Sequence, residues 1–320
     1  MKAARVTSPK RFEFIEEPTP VPDEGQVLIR VERVSVCGSD LRTYDPVLAE
    51  EEYPLPVGRP CHEVLGVIEE SRTDELREGQ RVIVLPTTTG GLVEHLVEAP
   101  ERIIPIPDDG GDLAVWLMCQ PMGTVLYSCQ RTGSVLGKSV AVLGQGAIGL
   151  NFTTWMARQG ATQVIVIDKL DYRLELAREL GATHTINAAK DDVAEAVAEI
   201  TGGEGADVVI EAAGEMDTVN QACHVVRRYG HVTFFGVTWD TEFTVDFATM
   251  FDKQITMMAT SSARSGNPTK AIKECVDIVA QGRLDLSPLV THRTTFDDVQ
   301  HAYDMYSEKL DNVIKVVMTV

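Results

Sequence analysis

The stretch Val140-Ala141-Val142-Leu143-Gly144-Gln145-Gly146-Ala147-Ile148-Gly149 joins an apolar run to three glycines spaced G-x-G-x-x-G. The apolar run is typical of a buried strand, and the sequence after Gly149 is typical of a helix. In such a turn the first glycine permits a tight bend, the second lets the backbone approach a pyrophosphate, and the third lets the helix pack closely on the strand. The helix amino terminus then presents free N–H groups to the phosphates. The residues predicted to contact a dinucleotide here are Gly144, Gly146, Ala147, Ile148 and Gly149.

An acidic residue follows at the spacing expected in a dinucleotide site. Asp168 ends the apolar run Val164-Ile165-Val166-Ile167, roughly 20 residues beyond the glycines. A carboxylate at this point accepts hydrogen bonds from the hydroxyls of the adenosine ribose and repels a ribose 2′-phosphate, so we predict NAD rather than NADP as the cofactor. Arg173, five residues later, is expected to shield the adenine or, alternatively, to receive that phosphate.

Two different patterns of apolar residues divide the chain. Up to about residue 110, short alternating or β-branched runs are bounded by proline, glycine and acidic residues, which is typical of strands and turns. From about residue 135, the apolar runs are separated by helical stretches, which is typical of a parallel sheet covered on both faces. We therefore predict an α/β protein in which a doubly wound, Rossmann-type parallel sheet is accompanied by a mostly β domain.

The composition excludes several classes of partner. The 320 residues include 48 acidic and 29 basic side chains, which gives a net charge of -19. Nucleic acids and anionic membrane surfaces repel such a protein, so we expect neither as a partner.

The segment Met1–Lys10 does not resemble a signal peptide, and no apolar run reaches the roughly 18 residues that span a bilayer. We expect a cytoplasmic protein whose six cysteines are thiols or metal ligands.

A cysteine and a histidine in the first part of the chain predict a metal site. Cys37-Gly38-Ser39-Asp40 follows a predicted strand, and the histidine of Cys61-His62-Glu63 lies 25 residues beyond Cys37. A thiolate and an imidazole are ligands that Zn²⁺ prefers. Either residue alone is more often structural, as a buried thiol or a hydrogen-bonded histidine, and it is the combination that indicates zinc.

Taken together, the ordered motifs resemble the zinc-containing medium-chain dehydrogenase/reductase superfamily of alcohol dehydrogenases, and within it the branch of sorbitol, threonine and glucose dehydrogenases. The likeness covers nearly the whole chain. Beyond the motifs already quoted it includes Cys119-Gln120-Pro121-Met122-Gly123, Ala206-Asp207-Val208-Val209-Ile210-Glu211-Ala212-Ala213-Gly214 and Pro288-Leu289-Val290-Thr291-His292. Such a series is specific for the superfamily and much less specific for the substrate.

The resemblance implies a two-domain enzyme. A GroES-like catalytic domain would be built from both chain ends, residues 1–123 and 264–320, with an NAD-binding Rossmann domain, residues 124–263, inserted between them. Zinc would lower the pKa of the alcohol oxygen so that hydride can pass to NAD, and Ser39 matches the hydroxyl that relays the proton towards solvent. In relatives an edge strand equivalent to Ile255–Ala259 pairs across a two-fold axis, so we expect a homodimer or a homotetramer.

Two departures from the family concern the metal. Many relatives hold a second, structural zinc with four cysteines, but the corresponding stretch Pro86–Gly91 contains none, so we expect one zinc per chain. A catalytic zinc needs three protein ligands and an open position. The ligands that we predict are Cys37, His62 and Glu63. Gln120 stands where the family often has an acidic or cysteine ligand, and we expect it to ligate transiently or to hold the zinc-bound water. Recruitment of the neighbouring Cys119 is the alternative, although we favour a packing role for it.

Further departures lie where the family binds its substrate. Arg42 stands where polyol dehydrogenases commonly have histidine, and Ser261-Ser262-Ala263-Arg264 replaces their polyol clamp. We predict a secondary alcohol or ketone of a polyol or sugar as the substrate, because the motif series is closest to that branch. The candidate hydrogen-bonding partners are Ser39, Thr43, Glu63 and Gln120. The alternative is an anionic hydroxy compound, with a carboxylate, sulfonate or phosphate bound by Arg42 and Arg264. That both arginines are merely solvated or salt-bridged is an equally open interpretation.

Two other functions compete with this one. A zinc-free reductase of quinones or activated alkenes belongs to the same superfamily, but such enzymes lack the pair of Cys37 and His62. A non-catalytic NAD-binding protein is compatible with the fold, although the intact metal motif and Ser39 argue against it. A metal assay discriminates between these hypotheses.

Overall fold

The computed structural model describes residues 1–236, 242 and 244–320. The chain forms two compact units, one made of Met1–Gly123 together with Asn267–Val320 and the other of Thr124–Gly266. Both ends of the chain therefore belong to the same unit. Within the described ranges, no helix is long and apolar enough to cross a membrane.

The secondary structure of the described residues is as follows. The strands are β1 (Lys2–Ser8), β2 (Arg11–Glu16), β3 (Val27–Ser35), β4 (Glu63–Ser71), β5 (Arg81–Val84), β6 (His95–Glu98), β7 (Ile103–Pro105), β8 (Ser139–Leu143), β9 (Gln163–Asp168), β10 (His184–Asn187), β11 (Ala206–Glu211), β12 (Val226–Phe234), β13 (Thr256–Ala259), β14 (His292–Thr295) and β15 (Val316–Thr319). The α-helices are α1 (Leu41–Tyr44), α2 (Leu113–Leu117), α3 (Cys119–Thr132), α4 (Ala147–Arg158), α5 (Asp171–Glu179), α6 (Val193–Ile200), α7 (Met216–Val225), α8 (Phe247–Lys253), α9 (Lys270–Ala280) and α10 (Val299–Glu308).

The second unit is built on a parallel sheet. Its described strands lie in the order β10-β9-β8-β11-β12-β13, and every neighbouring pair is parallel. The chain runs outward from β8 to one edge of the sheet and then from β11 to the other, which confirms the predicted doubly wound fold. The apolar residues of β8 are all fully buried, as expected for a strand that is covered on both faces; they are Val140, Ala141, Val142 and Leu143.

The first unit is mostly β, as predicted. Its main sheet has the strand order β14-β15-β3-β4-β5-β7, while β6 also pairs with β3, and β1 and β2 form an antiparallel pair. The last strand, β15, is antiparallel to β3, so the end of the chain completes the sheet that its first part begins. Apolar side chains from β3, β4 and β5 share one core with those of α10 and β15.

The pairing of three strands positions the candidate metal site. Ser35, the last residue of β3, lies opposite Glu63, the first residue of β4, and also opposite Val317 in β15. Both neighbours of β3 are antiparallel to it, so the residues just after β3 lie beside those just before β4 and just before β15. Cys37, His62 and Lys315 are the residues that this register brings together.

Candidate metal and cofactor sites

Three potential metal ligands meet at the end of β3. One group of side chains among the described residues could hold a metal ion. Its ligand atoms are the Cys37 sulfur, a ring nitrogen of His62 and a carboxylate oxygen of Glu63, which all lie within 4.8 Å of one another. Cys37 and His62 are partly exposed, whereas Glu63 is fully buried. A thiolate, an imidazole and a carboxylate are the donor types that bind zinc in proteins, so the side chains present fit this metal.

Asp40 holds two of these residues in place. Its Oδ1 atom lies 3.0 Å from Nδ1 of His62, and its Oδ2 atom accepts a hydrogen bond of 3.0 Å from the backbone N–H of Cys37. Because Nδ1 is engaged, the Nε2 atom of His62 is left for the metal. A carboxylate on the far nitrogen of a histidine is the usual support of a metal-binding imidazole, because it fixes the ring and increases its basicity.

The charges around His62 favour a cation at this point. Burial of the imidazole opposes its protonation, but the Asp40 carboxylate and the Cys37 sulfur outweigh that effect and raise the pKa of His62 well above its ordinary value. The same negative charges that stabilise a proton on the ring also stabilise a metal cation beside it.

Glu63 has a second partner, which the sequence did not indicate. The ammonium group of Lys315 donates hydrogen bonds to both carboxylate oxygens, at 2.6 and 2.5 Å, and to the carbonyl oxygen of Val36 at 3.0 Å. The hydroxyl of Ser35 donates to the same carboxylate. Burial alone would lower the pKa of Lys315, but Glu63 reverses this and raises it. Glu63 therefore lies within reach of a metal while it belongs to a buried ion pair.

The other side chains predicted around the metal lie in several environments. Ser39 is exposed, and its hydroxyl donates to the Cys37 sulfur at 3.4 Å. The Thr43 hydroxyl donates to the carbonyl oxygen of Asp40 at 3.1 Å. Arg42 is exposed on α1 and makes no hydrogen bond or ion pair with any described side chain. Of these three predicted residues, Ser39 contacts the cluster, and Arg42 and Thr43 follow it on the same short segment.

Two further predicted residues lie outside this segment. Gln120 is buried in the first turn of α3, within the same unit as the metal cluster. Arg264 is exposed and belongs to the other unit. The structure therefore gives Gln120 a fixed, enclosed position and leaves the guanidinium of Arg264 in solvent.

Two cysteines near the motifs, Cys61 and Cys119, are buried. Burial raises the pKa of Cys61 well above the ordinary value of a thiol. Cys119 is also buried, and a hydrogen bond with Cys275, together with burial, raises its pKa in the same direction. Cys119 is fully buried, as the packing role that we favoured for it requires.

The glycine turn has the form that a dinucleotide site requires. Gly144 has a φ of +88°, and a Cβ atom on it would come within 2.9 Å of Ala213. A Cβ atom on Gly149 would overlap the carbonyl oxygen of Gly144, so the close packing of α4 on β8 needs glycine there. Gly146 precedes α4, which starts at Ala147, and the first N–H groups of this helix are available to an anion.

Asp168 lies next to this turn, at the end of β9. Its carboxylate accepts hydrogen bonds from the backbone N–H groups of Gln145, at 2.7 Å, and Leu170, at 2.9 Å. An Nη1 atom of Arg173 lies 3.5 Å from the same carboxylate. The acid is therefore fixed beside the glycines, and Arg173 is held by an ion pair to it.

Comparisons with known proteins agree with this geometry. The family described as "Zinc-binding dehydrogenase" matches residues 147–281, and the family described as "Alcohol dehydrogenase GroES-like domain" matches residues 23–108. An alcohol dehydrogenase of Cupriavidus necator is 29% identical, over 99% of this chain and 98% of the relative. A sorbitol dehydrogenase of Bacillus subtilis is 26% identical, over 99% and 97% of the two chains. Among solved structures, an Escherichia coli oxidoreductase of unknown specificity is 26% identical and matches with a TM-score of 0.88 over 100% of this chain and 99% of that one.

Proposed function

We propose that this chain, which belongs to the zinc-containing medium-chain dehydrogenase/reductase superfamily, acts on a secondary alcohol, or the corresponding ketone, of a polyol or sugar-like molecule. It is an alcohol dehydrogenase that uses a nicotinamide cofactor. The observation that carries the dehydrogenase chemistry is the meeting of Cys37, His62 and Glu63 within 4.8 Å. A zinc ion held there would polarise the substrate oxygen and lower the pKa of an alcohol, so that hydride can leave for the nicotinamide near neutral pH.

The residues around the cluster have separate tasks in this proposal. Cys37 and His62 hold the metal, and Asp40 keeps both in place through His62 Nδ1 and the Cys37 N–H. Glu63 is the third ligand and is shared with Lys315. Ser39 is exposed and touches the Cys37 sulfur, so its hydroxyl can accept the proton of the alcohol and pass it to water. Gln120, buried in the first turn of α3, would offer its amide oxygen to the metal transiently or hold a water beside it.

We assign catalysis to one of the two compact units and cofactor binding to the other. The unit that contains the metal cluster is the catalytic domain, and the unit with the parallel sheet binds the cofactor. NAD is preferred over NADP, because the carboxylate of Asp168 lies beside the glycine turn and repels a 2′-phosphate. One zinc is bound per chain, since the described residues present one cluster of suitable ligands.

A second candidate for the substrate is an anionic hydroxy compound. Arg42 is an exposed guanidinium, without a partner among the described side chains, on the short helix that follows Ser39 and Asp40. The protein has a net charge of -19, and an exposed guanidinium two residues beyond Asp40 can bind a carboxylate, sulfonate or phosphate. The polyol remains the first candidate because a sorbitol dehydrogenase is similar over nearly the full length of the chain.

A comparison of substrates in the wild type and two variants tests these alternatives. Neutral polyols, hydroxy acids and polyol phosphates are assayed with NAD through the absorbance of NADH, in the wild type, in Arg42→Ala and in the control Arg77→Ala, which removes another exposed arginine. If the substrate is a polyol, the wild type, Arg42→Ala and Arg77→Ala should all turn over neutral polyols with a similar kcat/KM. If only anionic compounds react, and Arg42→Ala alone costs them about 1.5–3 kcal/mol, as for a lost charged hydrogen bond, the second candidate replaces it.

We also propose a homodimer, or a homotetramer built from dimers. Strand β13 lies at one edge of the parallel sheet, with β12 on its other side, and its residues are exposed or half-buried. No described strand pairs with the outer side of β13, so pairing with β13 of a second copy would satisfy the backbone groups of this edge and continue the sheet. Light scattering at micromolar concentration should give at least twice the mass of the chain, and a monomeric mass would contradict the proposal.

A further inference from the structure

A buried carboxylate at the centre of the parallel sheet has no part in the reaction described so far. Glu211 is the last residue of β11, between β8 and β12, and only 1% of it is exposed. No lysine, arginine or histidine of the described ranges forms an ion pair with it, and burial raises the pKa of Glu211. Acidic residues are seldom buried without a specific set of hydrogen-bond donors, so the surroundings of this carboxylate indicate what it does.

One oxygen of Glu211 fixes the turn that follows β11. Its Oε1 atom accepts three hydrogen bonds, from the backbone N–H groups of Ala213 at 2.9 Å and Gly214 at 2.8 Å and from the hydroxyl of Thr218 at 2.7 Å. The first two donors lie in the turn and the third lies in the first turns of α7. A charged acceptor that binds three donors holds this segment more firmly than neutral acceptors would.

The same residue also fixes the turn that follows β12. The backbone carbonyl oxygen of Glu211 accepts hydrogen bonds from the N–H groups of Phe235 at 2.9 Å and Gly236 at 3.0 Å. The second carboxylate oxygen, Oε2, lies against Gly236, because a Cβ atom on that glycine would come within 2.5 Å of it. The turn after β11 is therefore bound to the carboxylate of Glu211, and the turn after β12 is bound to its backbone carbonyl.

These turns lie where the cofactor binds. In a doubly wound sheet the ligand lies across the carboxyl ends of the strands, at the point where the strand order reverses, with one mononucleotide on each half. Here that point lies between β8 and β11. Asp168, at the end of β9, assigns the adenosine to the half formed by β8, β9 and β10, so the nicotinamide nucleotide belongs to the half formed by β11, β12 and β13. The turn after β11 also touches the glycine turn through Ala213 and Gly144.

We propose that Glu211 is a positioning residue for the nicotinamide half of the cofactor. Its carboxylate sets the shape of the turn at residues 212–214 before the cofactor arrives, and it lies against Gly236 of the next turn. The cost of ordering these turns is then met in folding and not in binding, which is how preorganisation increases affinity. The adenosine half depends on Asp168 and the glycine turn and does not need this carboxylate.

Binding of two ligands to three variants tests this proposal. Isothermal titration calorimetry measures Kd for NADH, which carries both nucleotides, and for ADP, which carries only the adenosine half and the two phosphates. The variants are Glu211→Ala, Glu211→Gln and the control Glu215→Gln, whose carboxylate lies four residues on, is exposed and pairs with Lys169. The proposal rests on the use of a nicotinamide cofactor, and no alcohol is needed, so the result does not depend on the identity of the alcohol substrate.

The decisive quantity is the ratio of Kd for NADH to Kd for ADP. In Glu211→Ala we expect this ratio to rise by about tenfold or more, because the turn donors lose their acceptor. In Glu211→Gln we expect a smaller rise, of about threefold, because the amide oxygen still accepts but carries no charge. The control should keep the wild-type ratio. If Glu211→Ala does not fold, the Gln variant decides.

An unchanged ratio in the folded Glu211 variants would overturn the proposal, whether both affinities are retained or both fall equally. Equal losses would mean that Glu211 supports the unit as a whole. A changed ratio in Glu215→Gln of the same size would also overturn it, since any acid of this region would then have the same effect.

Discussion

The ammonium group of Lys315 lies 2.6 and 2.5 Å from the two carboxylate oxygens of Glu63, and both side chains are buried beside the candidate metal ligands. Lys315 directly precedes β15, whose Val317 lies opposite Ser35 of β3. The ion pair therefore joins the end of the chain to the segment that carries Cys37 and His62. A charge that is buried in this way stabilises its surroundings only while its partner is present.

Replacement of Lys315 by Met should destabilise the first unit strongly. Loss of the lysine leaves the Glu63 carboxylate buried and uncompensated, for which we expect a loss of about 3–5 kcal/mol in the free energy of unfolding. Urea denaturation in the presence of a chelator measures it without a contribution from metal. The double variant with Glu63→Gln should recover much of the loss, and Lys273→Met, which removes an exposed lysine of α9, is the control. Equal unfolding free energies for Lys315→Met and Lys273→Met would contradict the prediction.

Asp40→Asn should weaken zinc binding without removing a ligand. The amide can still accept from the Cys37 N–H, but it supplies no negative charge to His62 Nδ1. Changes to such outer partners typically lower metal affinity by about 10- to 100-fold. Competition with a chromogenic chelator measures the zinc affinity, with the exposed Asp74→Asn as the control. An affinity equal to that of the control would show that Asp40 does not support His62 in this way.

Asp168→Ala should raise the KM for NAD and narrow the discrimination against NADP. The carboxylate that repels a 2′-phosphate is lost, and Arg173 is released from its ion pair, so the phosphate gains a partner. Initial rates with the two cofactors measure kcat/KM for each, and Asp171→Ala, an exposed acid at the start of the following helix, is the matched control. A wild-type enzyme that already uses NADP as well as NAD would contradict the assignment of Asp168.

The pair of Asp112 and Arg293 should make the stability of the first unit depend on pH. The Arg293 guanidinium donates hydrogen bonds to the Asp112 carboxylate, one of them 3.1 Å long, and lowers its pKa. A carboxyl group whose pKa is lower in the folded chain stabilises the fold above its unfolded pKa of about 3.9 and loses that contribution as the pH falls through the folded value.

Asp112→Asn measures this contribution, because the amide can still accept the hydrogen bond from the N–H of Ala114 at the start of α2. The variant should unfold more easily than the wild type at about pH 6, and the difference should shrink as the pH falls below about 4. Urea titrations of the variant and the wild type, at about pH 6 and again below about pH 4, give the difference in unfolding free energy at each pH. A difference that is the same at both pH values would mean that the charge of Asp112 is not its cause.

Much of the architecture could be predicted because it depends on local pattern. The run at Val140–Leu143 and the glycines after it specify a strand, a turn and a helix within a few residues of one another. Cys37 and His62 carry ligand chemistry in their own side chains, and their spacing adds to that signal. Asp40 was within the same motif, and an acid three residues from a cysteine ligand could have been recognised as a support for the metal site.

Other features depend on contacts between distant parts of the chain. Lys315 and Glu63 are 252 residues apart, and nothing next to Lys315 distinguishes it from a surface lysine. Strand β12 begins at Val226, which pairs with Ala206 of β11, and the register then shifts before His231 pairs with Val208. Arg228 and Tyr229, between these two pairs, remain exposed. An exposed, charged strand start has no periodicity from which it could be recognised.

The zinc content of the purified protein, measured together with NADH formation, tests the central claim most directly. The wild type should contain about one zinc per chain, since one cluster among the described residues has the three ligands that such a site needs, and should reduce NAD in the presence of a secondary alcohol. Cys37→Ser should lose both the zinc and the activity, whereas Cys129→Ala, which changes a buried cysteine of α3, should keep both. Full zinc retention in Cys37→Ser, or turnover by a zinc-free wild type, would contradict the account.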